Sequence, residues 1–469
     1  MPSLLSAPYA EEGPVAELTA RQPRAATDAT TGLKRGIWVY FLLLILEGAL
    51  RKWVLPSLAT PLLIVRDPVA LWLLLTAWRR GLLPANSYLS SMMLLGVVGI
   101  FTAVFLGHGS LFVAIYGARI LMLHFPLIFV IGRVFNRDDV VRLGKGLLWL
   151  AIPMTVLMLL QFYSPQSAWV NRGVGGDTQG GGFSGANGYF RPPGTFSFIT
   201  GLVQFYSLLA PFVLAFWLKR EPVNRLLLLA ATTSLLLAIP FSISRTLMFQ
   251  TCLTVVFTVA ATSRHPKYLV QMLLVGVGLV GVFLLLSNTS FFQTGTAAFT
   301  SRFETASQQS SGTVSGDLLA RVIDDQLGPI DLNKQPFFGY GLGMGTNAGG
   351  MLLTGGQFFL ISETEWGRVI GELGLLLGTS VILLRLALMV KIGLASYQKV
   401  VAGDLLPWLL LSFGFLIITQ GQWAQPTTLG FSVLTGGLLV ASLRTPSQPR
   451  TSMAPSASSG ALHDMAAAV

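Results

Sequence analysis

Four charged side chains at the ends of apolar segments are the residues of this chain that could do chemistry. Arg191 stands in Arg-Pro-Pro-Gly-Thr-Phe, Arg245 follows Ser244 between two apolar runs, and Arg321 begins Arg-Val-Ile-Asp. Glu363 begins Glu-Thr-Glu-Trp, just before another apolar run. A charge in an apolar chain is costly unless it is paired or used. Guanidinium groups bind phosphate through a fork of N–H donors, and a carboxylate can act as a general base, so the set predicts chemistry on an anionic substrate.

Each arginine has an alternative interpretation, in which its side chain extends along the membrane surface to a lipid phosphate. Their backbone contexts favour a site. The two prolines after Arg191 stiffen the start of a predicted helix. Arg245 begins a predicted helix, whose N-terminus attracts anions. Arg321 lies on a predicted amphipathic helix at the outer membrane surface.

Two further motifs flank the predicted base. Gly339, Gly341 and Gly343 alternate with other residues, so their backbone amides can approach a ligand closely, although a tight turn explains the same pattern. Glu365 either caps the helix that follows it or pairs with Arg368.

The elements that must position these residues are membrane-spanning helices. The chain has 469 residues, of which 52% are hydrophobic and 11% charged, and its mean hydropathy is +0.66. A soluble domain has about 25% charged residues. Apolar runs of about 20 residues recur, which predicts an all-α polytopic membrane protein with about 12 transmembrane helices. We expect these helices at 37–55, 61–78, 88–107, 111–132, 146–163, 196–218, 224–241, 246–262, 268–287, 366–390, 405–420 and 428–443.

The distribution of basic residues orients the predicted helices. Most of the 31 Lys and Arg residues fall on the side that holds both termini, in loops such as those containing Arg79, Lys219 and Lys399. By the positive-inside rule both termini are expected in the cytoplasm. The net charge of +11 is therefore explained by topology, and nucleic acid is not an expected partner.

The chain divides into a membrane domain and two tails. Residues 36–444 form the predicted membrane domain, and the polar segments 1–35 and 445–469 are predicted to be disordered cytoplasmic tails. Long periplasmic loops are expected at 164–195 and 288–365. The first is rich in glycine and is either a flexible connector or a mobile lid. The second is expected to carry short amphipathic helices, one of them over 315–327.

Several other site types are not indicated. The four histidines are scattered, without the spacing of a metal site. The glycine-rich stretch lacks the features of a P-loop or a dinucleotide-binding fingerprint. The single cysteine, Cys252, lies in an apolar run and is expected to be a buried, inert thiol. We therefore expect no metal and no cofactor.

The order of the motifs resembles the O-antigen polymerase and ligase superfamily, which are bacterial inner-membrane glycosyltransferases of the GT-C type. The resemblance rests on Arg-Pro-x-Gly-Thr-Phe at Arg191, Ser-Arg at Arg245, and Arg321 before Pro-Phe-Phe-Gly-x-Gly-x-Gly. It ends with the segment from Glu363 to Glu-Leu-Gly and covers roughly 190–390. Ligases usually have histidine where this chain has Glu363, which favours a polymerase.

The resemblance implies transfer of a glycan from undecaprenyl pyrophosphate to an acceptor sugar hydroxyl at the periplasmic face. Arg191, Arg245 and Arg321 would bind the diphosphate, and Glu363 would be the general base. The residues expected to shape the substrate site are Gly339, Gly341, Gly343 and Glu365. The expected partners are the lipid-linked glycan, the acceptor glycan, the lipid bilayer, and a chain-length regulator or export complex.

Three alternatives stay open at this point. A ligase would transfer the glycan to lipid A-core or to another acceptor. A transporter or flippase for lipid-linked sugar would use polar residues near the membrane centre, for which Arg66, Asp67 and Arg119 are candidates. A structural subunit of an export complex would not need the outer arginines.

Overall fold

A computed structural model describes residues 22–84, 86–219, 221–263, 287–309, 336–356, 361–362 and 364–444, with the isolated positions 278, 281 and 284. This part of the chain is mainly helical, and the only sheet within it is one two-stranded hairpin. The prediction of an all-α membrane protein is confirmed at this level. The number of twelve spans and the GT-C arrangement stay predictions.

The helices and strands are numbered here in chain order. The helices are α1 (Gln22–Ala49), α2 (Asp67–Arg79), α3 (Ser87–Phe105), α4 (Leu111–Arg119), α5 (Phe125–Val134), α6 (Arg137–Tyr163), α7 (Ile199–Leu218), α8 (Arg225–Phe241), α9 (Arg245–Thr262), α10 (Ser290–Gln309), α11 (Asn347–Thr354), α12 (Glu365–Val401), α13 (Leu406–Thr419) and α14 (Pro426–Ser442). The strands are β1 (Phe183–Ala186) and β2 (Tyr189–Arg191).

Seven helical segments among the described residues are long and apolar enough to cross a membrane. They are Pro61–Arg79, Ser87–Phe105, Leu111–Val134, Arg137–Tyr163, Ile199–Leu218, Arg245–Thr262 and Glu365–Val401. Three shorter apolar helices, α8, α13 and α14, complete this set. The expected span at 268–287 lies almost wholly outside the described residues.

Two helix boundaries differ from those expected. The first helix begins at Gln22, inside the segment 1–35 that the sequence predicts to be disordered, while residues 1–21 lie outside the described part. The last long helix continues from Glu365 to Val401 and is broken at Gly374, whose φ of 76° is not helical. The break explains how so long a helix fits a membrane, because an unbroken helix of 37 residues would span about 55 Å at 1.5 Å per residue.

The core lies around α7. In the most apolar window of α7, 94% of the residues are buried, which places this helix in the middle of the bundle. Helix α14 contacts α7 and also packs closely on α5, because Gly437 leaves room for Ile131, only 2.5 Å from where a side-chain carbon would stand. Small residues at such contacts are typical of helices that pack within membranes.

Candidate functional site

Arg191 ends the only hairpin in the described part of the chain. Strands β1 and β2 are antiparallel, with Phe183 opposite Arg191. The turn between them is Asn187-Gly188, and both residues have positive φ, 51° and 79°. This backbone matches the two-residue type I′ turn, for which Asn-Gly is the preferred sequence. Part of the glycine-rich loop is therefore an ordered ribbon that presents Arg191.

The segment after Arg191 is fixed by hydrogen bonds from two helical regions. Lys52 donates from Nζ to the carbonyl of Gly194 at 2.7 Å, and Gln161 Oε1 accepts the amide of Gly194 at 2.7 Å. Arg51 Nη1 donates to Ser197 Oγ at 2.9 Å. Gly194 has a φ of +61°, which glycine adopts without the strain of a side chain. These contacts hold the backbone next to Arg191 in one position.

Arg245 is the first residue of α9. Helix α8 ends at Phe241, and Ser244 caps α9 by accepting the amide of Leu247 on its hydroxyl. Ile243 has a φ of +47°, a conformation that is uncommon for a β-branched residue, and its side chain is fully buried. The tight turn thus directs the exposed side chain of Arg245 and the free amides of the helix N-terminus to the same place.

Helix α10 brings a third arginine, Arg302, to this region. Its first turn packs on the ends of α6 and α8, where Phe291 lies 4.8 Å from Phe241 and 5.2 Å from Tyr163 between ring centroids. The hydroxyl of Tyr163 also donates to the carbonyl of Phe291 at 2.8 Å. The hairpin joins the same aromatic group, since Tyr189 stacks on a phenylalanine of α6, Phe162, at 4.5 Å. One aromatic cluster therefore connects the elements that carry Arg191, Arg245 and Arg302.

The three arginines, called the arginine cluster below, influence one another electrostatically. Burial lowers the pKa of Arg191 to about 10, and the charges of Arg302 and then Arg245 contribute in the same direction. Burial and the charge of Arg245 also lower the pKa of Arg302. Within the described structure, Arg191 Nε is buried without a hydrogen-bond partner, and Arg302 Nη1 makes a long contact, 3.5 Å, to the carbonyl of Gly185.

No carboxylate within the described ranges pairs with any member of the arginine cluster. Like charges held together without counter-ions are unfavourable unless an anion binds between them. Charge-assisted bonds from guanidinium groups suit phosphate oxygens, and the end of α9 adds backbone donors. The arrangement can therefore bind a group with several negative oxygens.

No protein-family model matches this chain, and no curated protein matches it significantly.

Two of the four leading sequence candidates fall within the described residues, and the structure brings them together. Arg191 and Arg245 are both in the arginine cluster, whereas Arg321 and Glu363 lie outside the described residues. The roles predicted for these two residues, diphosphate binding by Arg321 and general-base catalysis by Glu363, stay predictions. Arg302 was not among the residues predicted for the site. Its position in the sequence did indicate it, because it is one of the few basic residues expected on the periplasmic side.

The glycines at 339, 341 and 343 serve close packing. All three have positive φ, 73°, 113° and 93°. The amide of Gly339 is donated to the carbonyl of Pro336, and that of Gly341 to the carbonyl of Glu372. A side-chain carbon at Gly343 would collide with the carbonyl of Val113 on α4. The first two amides are thus used within the protein, and the segment is pressed between α4 and α12.

Glu365 belongs to a buried ion network, the α12 network, which also contains Arg368, Glu372 and Arg385. Both oxygens of Glu365 accept bonds from Arg368, at 2.8 and 3.0 Å, and Arg385 adds a bond of 2.6 Å. Glu372 accepts from Arg368 at 2.6 Å and from the amide of Gly345 at 2.9 Å. Glu365 is 0% exposed. The network ties the glycine segment to the start of α12, and hydrogen bonds within the protein engage both of its carboxylates.

The described residues include no group of His, Cys, Asp and Glu side chains that could hold a metal ion. Cys252 is exposed on α9, whereas the sequence predicts a buried thiol. It lies on a helix in a candidate membrane span, so this exposed face is one that lipid would cover.

Proposed function

We propose that this protein is a membrane glycosyltransferase that moves a glycan from undecaprenyl pyrophosphate to the hydroxyl of an acceptor sugar. The proposal includes the GT-C arrangement with about 12 spans, cytoplasmic termini and a site open to the periplasm of a bacterial inner membrane. The observation that carries it is the arginine cluster, three guanidinium groups without a carboxylate partner in the described part of the chain.

The chemistry needs charge stabilisation more than bond activation. The acceptor oxygen forms a bond to the anomeric carbon, and the bond from that carbon to the phosphate oxygen breaks. The electron pair leaves with the lipid diphosphate, whose growing negative charge the arginine cluster would stabilise. The hydroxyl proton passes to a general base, for which Glu363 is our candidate.

A polymerase is the preferred form of this function. It uses a lipid-linked glycan as acceptor, so the product grows in regular steps. A ligase would transfer the same donor once to lipid A-core or another acceptor. The chemistry at the diphosphate is the same for both, and only the acceptor distinguishes them.

A transporter of lipid-linked sugar is the alternative from another class. The observation in its favour is the ion pair between Arg119 Nη1 and Asp67 Oδ2, 2.6 Å apart on two candidate membrane-spanning helices. A coupled transporter would use such a pair for protons. It would bind the diphosphate but would leave the glycosidic bond intact.

The deciding experiment incubates the purified protein in nanodiscs with a synthetic glycan repeat on undecaprenyl pyrophosphate, and resolves the products by length. A ladder supports the polymerase. A single addition that needs a different acceptor supports the ligase. Binding without any new glycosidic bond, with every acceptor tried, would overturn the enzyme proposal.

Matched variants link turnover to the arginine cluster. Arg245→Gln and Arg302→Gln should each lower kcat/KM by about 10²- to 10³-fold, the usual cost of removing a donor at a developing charge. Arg142→Gln is the control, because this side chain is 69% exposed and pairs with Asp139 away from the cluster. Equal loss in all three variants would point to a general effect on the protein.

A further inference from the structure

A second group of cations lies at the junction of α1, α2 and α4. Its ion pairs join Glu47 to Arg51 and Arg66, at 3.5 and 3.3 Å, and Asp67 to Arg119, at 2.6 Å. Three guanidinium groups thus face two carboxylates. His124, which bonds to Asp67 at 3.0 Å, adds no negative charge in either protonation state.

The excess positive charge distinguishes this group from the α12 network. There, two arginines balance two glutamates in a fully buried set, although Arg385 Nε and Nη2 have no hydrogen-bond partner among the described residues. Here one cation is left over, and the neighbouring Lys52, 1% exposed, has no carboxylate partner among the described residues either. An unbalanced buried cation is costly in a membrane protein. The imbalance is resolved when an anion binds.

Among the described residues, Arg66 Nε and Nη1 are buried without a hydrogen-bond partner, but Arg66 is only 2% exposed. The unused donors that lie on partly exposed side chains belong to Arg51 and Arg119. Arg119 uses Nη1 on Asp67 and Nη2 on the hydroxyl of Tyr116, at 3.0 Å, while its buried Nε has no partner. Arg51 donates from Nε to the carbonyl of Ala59 and from Nη1 to Glu47 and Ser197, which leaves Nη2 without a bond in the described structure. The side chains of Arg51 and Arg119 are each 10% exposed and that of Asp67 is 18% exposed. We call Arg51, Asp67, Tyr116 and Arg119 the lateral site.

The surroundings of the lateral site are apolar and exposed. On α4, Phe112 and Ile115 precede Tyr116 and Arg119 at helical spacing, so all four lie along one face. Phe112 is 82% exposed and Ile115 54% exposed, on a segment that is apolar enough to span a membrane. A ligand at this corner therefore meets cations at one end and a lipid-covered face at the other, which suits an amphiphile with an anionic head.

The local backbone supports a functional role. Single π-helical turns are rare and often occur at functional sites. One such turn, Leu50–Val54, carries Arg51 and Lys52, and another, Ile120–His124, directly follows Arg119 and carries His124. The first turn ends α1 and the second lies between α4 and α5, both at residues of this one group.

We propose that the lateral site binds the phosphate or diphosphate head of a second lipid, separately from the arginine cluster. Two sources share this chemistry, an acceptor glycan on a polyprenyl diphosphate and an anionic phospholipid of the bilayer. Assigning the acceptor to this site rests on the proposed function, whereas binding of a lipid phosphate does not. The charged and titratable groups that face the site are those already named, together with Tyr40, which lies 3.4 Å from His124.

The test counts bound farnesyl diphosphate by native mass spectrometry, with the protein in nanodiscs of phosphatidylcholine. Wild type should bind two equivalents. Arg119→Gln should lose one and keep the other, and Arg119→Lys should weaken that equivalent at least about tenfold, because lysine keeps the charge but not the fork of donors. Arg142→Gln should still bind two.

Two further measurements identify which lipid occupies the lateral site, and they test this site independently of the proposed glycosyltransferase activity. The double variant Arg245→Gln/Arg302→Gln should lose the equivalent bound at the arginine cluster. If it does not, the result counts against the arginine cluster and leaves the lateral site unaffected. Phosphatidylglycerol in the nanodisc should displace the equivalent at the lateral site if a phospholipid is the occupant, and should leave it in place if the acceptor is. A wild type that binds no more than one equivalent, or retention of two by Arg119→Gln, would overturn the second site.

Discussion

The ammonium group of Lys52 donates a hydrogen bond to the carbonyl of Gly194, with 2.7 Å between Nζ and O. This contact joins the turn after α1 to the segment that follows Arg191. Lys52 is almost fully buried, and its ammonium also lies 4.4 Å from the ring of Trp53. A buried amine held in one place by a hydrogen bond indicates a positioning role, since burial of a polar group is unfavourable without a partner.

Lys52→Met should separate positioning from stability. Methionine fills similar space without the charge, and the Gly194 carbonyl keeps its bond from Gln161 Nε2 at 3.2 Å. We therefore expect the free energy of unfolding to change by about 1 kcal/mol or less, the value of one ordinary hydrogen bond. The kcat/KM should fall by about 10- to 100-fold, because the backbone beside Arg191 becomes less fixed. Thermal unfolding and turnover measure the two effects, and unchanged turnover would remove the positioning role.

The hairpin turn offers a test that changes no side-chain contact. Gly188 has a φ of +79°, and a side-chain carbon there would meet nothing within 4 Å. Gly188→Val should disfavour this backbone by roughly 1–2 kcal/mol, whereas Gly188→Asn should be tolerated, because asparagine adopts positive φ more readily. We expect the valine variant to lose affinity for farnesyl diphosphate at the arginine cluster and the asparagine variant to keep it. Equal affinities in calorimetry would mean that the hairpin does not position Arg191.

Removing one positive charge from the arginine cluster should stabilise the folded, ligand-free protein. The folded protein lowers the pKa of Arg302 and brings that of Arg191 to about 10, below the ordinary guanidinium value. A lowered pKa means that the folded state disfavours the charged form, so at pH 7, well below about 10, this charge opposes folding. Arg302→Gln should therefore raise the melting temperature of the ligand-free protein and reduce the further rise that farnesyl diphosphate produces. A lower melting temperature without ligand would contradict the repulsion argument.

The same pKa values predict how turnover depends on pH. Arg191 stays mostly charged below its pKa of about 10, so its contribution to diphosphate binding should be nearly constant between about pH 6 and pH 9. An acidic limb in kcat would then report the general base. Glu363→Gln should lower kcat by at least about 10²-fold if Glu363 is that base. A full-rate glutamine variant would exclude it.

The helical class was predictable from the sequence because apolar length and charge spacing depend only on local composition. The start of α9 at Arg245 was also predictable, since Ser244 is a preferred capping residue and follows an apolar run. The hairpin had a recognisable signal, Asn187-Gly188, which the surrounding glycines obscured. These features are local, and local sequence contains the information that determines them.

The third arginine was not predictable in the same way. Arg302 reaches Arg191 and Arg245 because Phe291 packs against Phe241 and Tyr163, residues far away in sequence. The pairing of Glu365 with Arg385 likewise depends on how α12 bends at Gly374. Such contacts arise from tertiary packing, and neither composition nor spacing indicates which charges meet.

A substitution that breaks the α12 network should lower the stability of the folded protein, and it should affect turnover only through that loss of stability. Glu365 accepts bonds from Arg368, Arg385 and the backbone amide of Trp423, and all of these donors are buried. Glu365→Gln leaves two guanidinium groups with one remaining carboxylate, and removal of one partner from a buried pair costs roughly 3–5 kcal/mol. We expect a large fall in melting temperature and in the amount of folded protein, in contrast to the rise expected for Arg302→Gln. If the variant is as stable as wild type and only turnover falls, Glu365 acts on the substrate and the structural interpretation of the network is wrong.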